Sequence, residues 1–312
     1  MFVQAIRMII FAPVIFLITL LFSEVRIMWI ITAIFQAIGQ ALTWILPVSE
    51  SGHSAIFHTF SQRYTGACSQ LTGVIHIGIA IGIIAVFYKL FFYLAKSFFG
   101  AWNELFHKRL DLKHPTSQRS FMLMTILSFA LMIFYLIPAG KYGNVYGFFN
   151  STSHNESLLG EGIFIALTGV LLMVTQSMFD KRSKPLPNFA KALILGLVAF
   201  IAVPTGGCSL VAGVFCVAIL LGMSDKYALR YSMVMSVMVL LVRGIIEICV
   251  AVTTVNVVGA LIAIVVAAAV TFFAIKIMLY IIKIRALNFF AWYDIALGAV
   301  CLVTGVFQLI LK

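Results

Sequence analysis

Fifteen residues, Gly39-Gln40-Ala-Leu-Thr43-Trp44-Ile-Leu-Pro47-Val-Ser49-Glu50-Ser51-Gly-His53, hold most of the groups in this chain that could do chemistry. Ser49 and Ser51 carry hydroxyls that can donate to a phosphate, although a serine at a hairpin tip equally caps a helix end. Glu50 is a carboxylate that could ligate a metal or act as a general base, or else sit at an aqueous mouth and cap a helix. His53 could be a nucleophile or a general acid; a lone membrane histidine is otherwise a hydrogen-bonded packing residue. A second stretch, Pro204-Thr-Gly206-Gly207-Cys208-Ser209, adds two glycines suited to a turn, a thiol and another hydroxyl. Three further positions stand alone inside apolar runs. His76 reads mainly as a hydrogen bond to a neighbouring helix. Arg243 has Glu247 four residues on, on the same helix face, which reads as a mutual ion pair. Asp294 is a third buried charge and could partner either of them.

These groups are set in a chain of 312 residues that is 63% hydrophobic and 10% charged, with a mean hydropathy of +1.12. Soluble domains carry about 25% charged and about 45–50% apolar residues. The composition excludes a water-soluble enzyme, a disordered chain and a coiled coil. Apolar runs of about 17–25 residues recur along the whole length, which predicts an all-α polytopic membrane protein. The net charge of +11 comes from 21 Lys and Arg against 10 Asp and Glu. The charges fall in short clusters between apolar runs, the pattern of topogenic loops. No basic run is interleaved with aromatics, so nucleic acid is not expected as a partner. Cys68, Cys208, Cys216, Cys249 and Cys301 form no CxxC pair, so neither a zinc site nor a disulfide framework is predicted.

Met8–Phe22 follows Arg7 and reads as a retained helix, since no small-residue cleavage site comes after it; a signal-peptide core is the alternative. Ile27–Phe57 is interrupted at Pro47–His53, and Ala190–Gly222 is interrupted at Pro204–Ser209. Irregular backbone at membrane depth persists only where protein buries it or a wet cavity accepts it. Both are therefore predicted to be re-entrant helical hairpins. Ordinary spans are expected at about Leu71–Leu94, Ser120–Leu136, Gly162–Met178, Tyr231–Val252, Val257–Ile282 and Leu287–Leu311.

Lys96, Lys108, Arg109, Lys113 and Arg119 lie between the first two spans; Lys181, Arg182 and Lys184 follow the third. Lys226 and Arg230 follow the second hairpin, and Lys283 and Arg285 precede the last span. Tyr142–Gly160 and Thr253–Asn256 have no Lys or Arg. The positive-inside rule puts the basic loops in the cytoplasm. Each hairpin plus three spans then forms a unit, and because three is odd the second unit is inverted relative to the first. The expected organisation is an N-terminal transmembrane helix in residues 1–26, repeat 1 in 27–178 and repeat 2 in 187–312, with 27–312 as one membrane domain. Two discontinuous segments in corresponding positions point to a binding site at the repeat interface. Asn150-Ser-Thr152 and Asn155-Glu-Ser157 fit the glycosylation pattern but read as chance in a bacterial chain.

The first stretch resembles a signature of the undecaprenyl-diphosphate phosphatase family, the bacitracin-resistance phosphatases, which runs roughly E-G-L-T-E-F-L-P-I/V-S-S-S/T-G-H. Leu42, Thr43, Leu46, Pro47, Val48, Ser49, Ser51, Gly52 and His53 match it. The family's second signature, P-G-x-S-R-S-G-A-T, falls on Pro204–Ala212, where Pro204 and Ser209 match. Val74-Ile75-His76-Ile77-Gly78 is similar to the family's V-I-Q-L-G, and Leu221–Ser224 with Arg230–Ser232 is similar to its L-G-x-S and E-F-S. The resemblance covers about Ile27 to Leu311. It implies inverted repeats with re-entrant hairpins, a polyprenyl phosphate lipid and membrane lipids as partners, and a multi-pass location in a bacterial inner membrane. Self-association into a homo-oligomer is left open.

The departures bear on the chemistry. Two family glutamates that serve metal binding or acid/base work are here Gln40 and Trp44, so the divalent cation that the resemblance suggests loses two ligands. Glu50 replaces a serine, and Cys208 replaces the arginine expected to clamp the pyrophosphate, with Gly207 before it. Phosphoryl transfer needs positive charge on the non-bridging oxygens, and arginine supplies it bidentately. The resemblance therefore implies hydrolysis of the terminal phosphate of a polyprenyl diphosphate by an impaired site. The catalytic candidates are His53, Glu50, Ser49 and Ser51, and the substrate-binding candidates are Gly206, Gly207, Cys208, Ser209 and Arg243, the last as a relocated clamp. The alternative is a non-hydrolytic binder or translocator of a polyprenyl phosphate or another anionic lipid.

Overall fold

The computed structural model describes residues 30–61, 69–107, 116–153, 157–179, 188–250 and 257–311. The first apolar run, Met8–Phe22, lies outside the described residues, as do Cys68, Asn155, Lys108, Arg109, Lys113, Lys181, Arg182 and Lys184. Among the described residues the regular elements are helices. They are α1 (Ile30–Ile45), α2 (Glu50–Ser61), α3 (Ser69–Val86), α4 (Tyr88–Phe106), α5 (Ser117–Ala130), α6 (Val145–Ser153) and α7 (Leu159–Met178). After these come α8 (Phe189–Ala202), α9 (Leu210–Leu220), α10 (Asp225–Val250), α11 (Val257–Ile284) and α12 (Leu287–Ile310).

Among the described residues, five segments are long and apolar enough to cross a membrane: Ser117–Leu136, in which α5 continues into a 3-10 turn, and α7, α10, α11 and α12. The 28 residues of α11 give about 42 Å of helix against a hydrocarbon core of about 30 Å. The chain is thus an all-α polytopic membrane protein.

Both expected stretches are interrupted, but the first break is shorter than Pro47–His53: α2 begins at Glu50, so Glu50–His53 are helical, whereas the second break includes all of Pro204–Ser209. Pro47 lies between α1 and α2, and Pro204 between α8 and α9, each lacking the N–H that would continue a helix. The 14 residues of α8 span about 21 Å and the 11 of α9 about 17 Å, too little for either to cross alone.

One expected span is different. Leu71–Leu94 is not a single straight helix: α3 ends at Val86, and α4 leaves at 93° to it. The 18 residues of α3 already reach about 27 Å. Beyond Phe87 the chain carries Lys89, Lys96, Asn103 and Glu104, whose heads are drawn to water. No glycine or proline marks the bend.

Helix α3 packs against both α10 and α11. At its crossing with α10, a Cβ on Gly73 would lie 2.7 Å from the Gly244 carbonyl oxygen, and one on Gly244 would lie 2.8 Å from that of Gly73. Two side chains of zero size thus let the backbones touch, which is how membrane helices gain contact without a hydrophobic drive. On the other side, Tyr231 of α10 is fully buried. Its hydroxyl donates to Met124 O at 2.9 Å and meets Ser128 Oγ at 2.6 Å, and Ser128 donates to Ala192 O at 2.5 Å. That chain joins α10, α5 and α8 around the second broken pair.

Candidate functional site

The two turns touch. The Gly207 N–H donates to Ser51 Oγ at 3.1 Å, Ser51 Oγ lies 3.2 Å from Ser49 Oγ, and Ser49 donates to Cys208 O at 3.5 Å. Residues 156 apart in sequence are brought together by backbone and hydroxyl alone. Gly207 makes the approach feasible: its φ is +86°, and a Cβ there would collide with the Glu161 carbonyl oxygen on α7. An L side chain would be strained twice over.

Both serines that end a turn also cap the next helix. Ser49 Oγ accepts the Gly52 N–H at 3.0 Å, and Ser209 Oγ accepts the Ala212 N–H at 3.3 Å. The capping reading therefore holds for Ser49, which serves in the contact between turns as well, while Ser51 takes the Gly207 N–H instead. Glu50 falls in the first turn of α2, near the positive end of its dipole. Its Oε1 accepts Ser54 Oγ at 3.3 Å.

A small cavity opens beside the contact, with ≈ 20 Å³ of room for the centre of a water-sized sphere. Its polar wall is Thr43, Glu50, Ser51, Cys208, Ser209 and Arg243, and Trp44, Ala202, Val203 and Leu210 complete it. Of the sequence candidates, Glu50, Ser51, Cys208, Ser209 and Arg243 are thus gathered at one space. Ser49 and Gly207 lie in the contact behind it, and Gly206 is buried in the same turn. His53 is turned elsewhere. Its Nδ1 meets Ser49 O at 2.6 Å, its Nε2 meets Tyr293 Oη on α12 at 2.7 Å, and the two rings stack with centroids 5.8 Å apart. Both ring nitrogens are occupied, which is the packing arrangement anticipated as the alternative for a membrane histidine.

Arg243 is the one cation at the cavity among its lining residues. Its Nε donates to Glu247 Oε1 at 2.7 Å, so the ion pair read from the sequence is formed. Glu247 Oε2 takes His76 Nδ1 at 2.7 Å, across the Gly73–Gly244 crossing. His76 is fully buried, and its ring lies 5.4 Å from that of Trp44. Arg243 therefore lines the cavity while its Nε is held by Glu247. Glu50 lines the same cavity and is close enough for its charge to act on Arg243. Asp294 pairs with neither Arg243 nor Glu247: it is fully buried in α12 with both carboxylate oxygens unpartnered. Its helix face packs on α7 rather than on α10, which the sequence does not reveal.

The positions of the two expected glutamates do not fit a divalent cation. Gln40 gives its amide nitrogen to Thr72 Oγ1 at 3.5 Å, and Trp44 presents only an indole N–H, a donor with no lone pair for a metal. Among the described residues no three His, Cys, Asp or Glu side chains gather as a metal site. Sequence reasoning missed Thr43 and Trp44 as lining residues and Tyr293 as the partner of His53. Thr43 stands one turn before Pro47 within the same motif, a usable signal. Tyr293, 240 residues from His53, had none.

Comparison with known proteins adds a second line of observation. The family model described as bacitracin resistance protein BacA matches residues 33–300. An undecaprenyl-diphosphatase of Methanococcus vannielii is 30% identical over 217 residues, 69% of this chain and 77% of that protein. One from Halothermothrix orenii is 26% identical over 294 residues, 91% of this chain and 98% of the relative. One from Methanothermobacter thermautotrophicus is 33% identical over 183 residues, covering 55% and 97%.

Proposed function

Given that this chain belongs to the bacitracin resistance protein BacA family, we propose that its cavity receives the diphosphate of a polyprenyl diphosphate and releases the terminal phosphate slowly. The chain is a multi-pass protein of the cell membrane. The substrate class follows its relatives' printed activity. The single observation that carries the reading to this chain is that Arg243 lines the same cavity as Glu50 and Ser51. We take residues 27–178 and 187–312 as inverted repeats whose broken helices supply the two turns.

In this proposal Arg243 spans two non-bridging oxygens with its terminal nitrogens, a role in which the planar fork exceeds a point charge. Ser51, with its oxygen already taking the Gly207 N–H, points its own hydrogen at the phosphate. Glu50 takes a proton from the attacking water. The water oxygen bonds to the terminal phosphorus, the bond to the bridging oxygen breaks, and inorganic phosphate and polyprenyl phosphate leave. The rate is low because one cation serves where the signature expects an arginine in the turn as well, and Cys208 carries no positive charge. Loss of such a clamp costs several kcal/mol of transition-state stabilisation, on the order of 10³-fold in rate.

A second reading, a non-hydrolytic binder or translocator of the same lipid, is favoured by one observation: both nitrogens of His53 are engaged away from the cavity. The deciding experiment is phosphate release from polyprenyl diphosphate by purified protein, with and without divalent metal. It is run on the native chain and on Cys208→Arg combined with Trp44→Glu and Gln40→Glu. Slow native release and a clear gain in the triple variant are expected. Binding without release in both proteins would favour the second reading. Robust native turnover that survives Arg243→Ala would overturn the impaired site.

A further inference from the structure

A second and larger cavity lies at the elbow where α3 turns into α4. It holds ≈ 550 Å³ of room for the centres of water-sized spheres and shares no lining residue with the first. Its wall is largely apolar, with Phe87, Leu94 and Phe121 among the contributors, but it carries two cations, Lys89 of α4 and Arg230 of α10. Among the described residues neither forms an ion pair with a carboxylate. Between them stands Tyr227, whose ring is held edge-on by Phe121 at 5.0 Å and stacked on Tyr231 at 6.3 Å. Its hydroxyl is buried and has no hydrogen-bond partner. A buried donor without a partner is unfavourable by itself, and here it shares a pocket with two cations that have no carboxylate partner, Lys89 resting only over the Tyr88 ring at 5.8 Å. The first turn of α5, Ser117 and Gln118, lines the same space with its positive helix end.

The outer face of α4 completes the picture. Tyr88, Phe92, Phe99, Trp102 and Phe106 recur at spacings of four, seven, three and four residues, and all are more than half exposed. That is an aromatic stripe along one face of a helix that runs at 93° to a membrane-crossing neighbour. Such a helix lies in the membrane interface, where Trp and Tyr rings are stable at headgroup level. Lys89, Lys96, Lys226 and Arg230 add basic charge around the elbow, while Arg119 is paired with Glu104 at 2.8 Å, and basic groups of this kind attract anionic lipid.

We propose that the elbow cavity is a binding site for the phosphate headgroup of an anionic membrane lipid, gripped by Lys89, Arg230 and the Tyr227 hydroxyl, with the lipid's tail passing from the apolar wall of the cavity into the hydrocarbon. A lipid suits the site better than a soluble anion because the cationic end opens onto an apolar wall and an exposed aromatic face. The site is independent of the diphosphate cavity, so its test stands apart from hydrolysis.

The full chain is placed in phosphatidylcholine nanodiscs containing a minor share of phosphatidic acid, and the lipid retained on extraction is counted by native mass spectrometry. The native protein should retain phosphatidic acid over phosphatidylcholine. Lys89→Gln with Arg230→Gln should weaken that retention about thirtyfold, since each basic group near a membrane surface is worth about fivefold. Tyr227→Phe, which keeps the ring contacts, should weaken it at least about tenfold through loss of one charged hydrogen bond, and it serves as the test should the double variant not fold. Equal retention by native and variant proteins would overturn the proposal. Displacement of the lipid by equimolar inorganic phosphate would show a phosphate site without a tail and overturn it too. Recovery of a dimer without bound lipid would assign the stripe to a second copy instead and reject the lipid.

Discussion

Arg243 and Glu247, one turn apart on α10, are joined at 2.7 Å through the arginine's Nε, while the same arginine lines the cavity between the two turns. Glu247 is itself held by His76 from α3 at 2.7 Å. An ion pair that looks self-contained on one helix is thus a mount that aims a cation. Arg243→Ala should lower residual diphosphatase turnover at least about 10²-fold, the scale of losing a preorganised charge at a transition state. Arg243→Lys should recover only part of it, because an ammonium cannot bridge two oxygens in a plane. Phosphate release in detergent micelles, with circular dichroism to show folding, measures both; an unchanged rate in Arg243→Ala would remove the arginine from the site.

Gly207→Ala should unfold the site before it reaches the chemistry. The substitution forces a side chain into a left-handed backbone and against the Glu161 carbonyl oxygen. The expected loss is at least about 2 kcal/mol, read as a lower thermal midpoint in detergent. A variant as stable as the native chain would mean that the turns separate without difficulty.

Ser49→Ala removes the cap on the Gly52 N–H together with the contact to the second turn. A loss of about 1 kcal/mol is expected from the cap alone. Ser209→Ala, which loses a cap but not that contact between turns, should be the milder of the two in the same melt. The opposite order would place the energetic weight on α9.

Asp294→Asn should not lower the thermal midpoint. A buried carboxylate with neither oxygen partnered is unfavourable in a membrane, and an amide of the same shape relieves the charge. A marked drop in the midpoint would reveal a cation held at Asp294 in the folded protein.

Single cysteines introduced into residues 142–160 should react with a membrane-impermeant reagent added from outside, and those in residues 97–118 should not. The first segment has no Lys or Arg, whereas five lie in or flank the second. Reactivity in the reverse order would turn the molecule over in the membrane.

The class of the molecule and the places where its helices break were legible in the chain itself, because both depend on local chemistry. Apolar runs of spanning length must be helical in lipid, and Pro47 and Pro204 cannot continue a helix wherever they are placed. Ser49, Glu50, Ser51, Cys208 and Ser209 could be singled out for the same reason: polar groups at a break within an apolar run require company. Their meeting was another matter. The Gly207–Ser51 hydrogen bond, the Tyr293 partner of His53 and the route from His76 through Glu247 to Arg243 each join residues more than 150 positions apart, except for the last step. The 93° bend at Phe87 had no proline or glycine to announce it. Such features depend on which helix faces meet, and that is decided by close approach at residues such as Gly73 and Gly244, whose spacing fixes no partner until the whole bundle is packed.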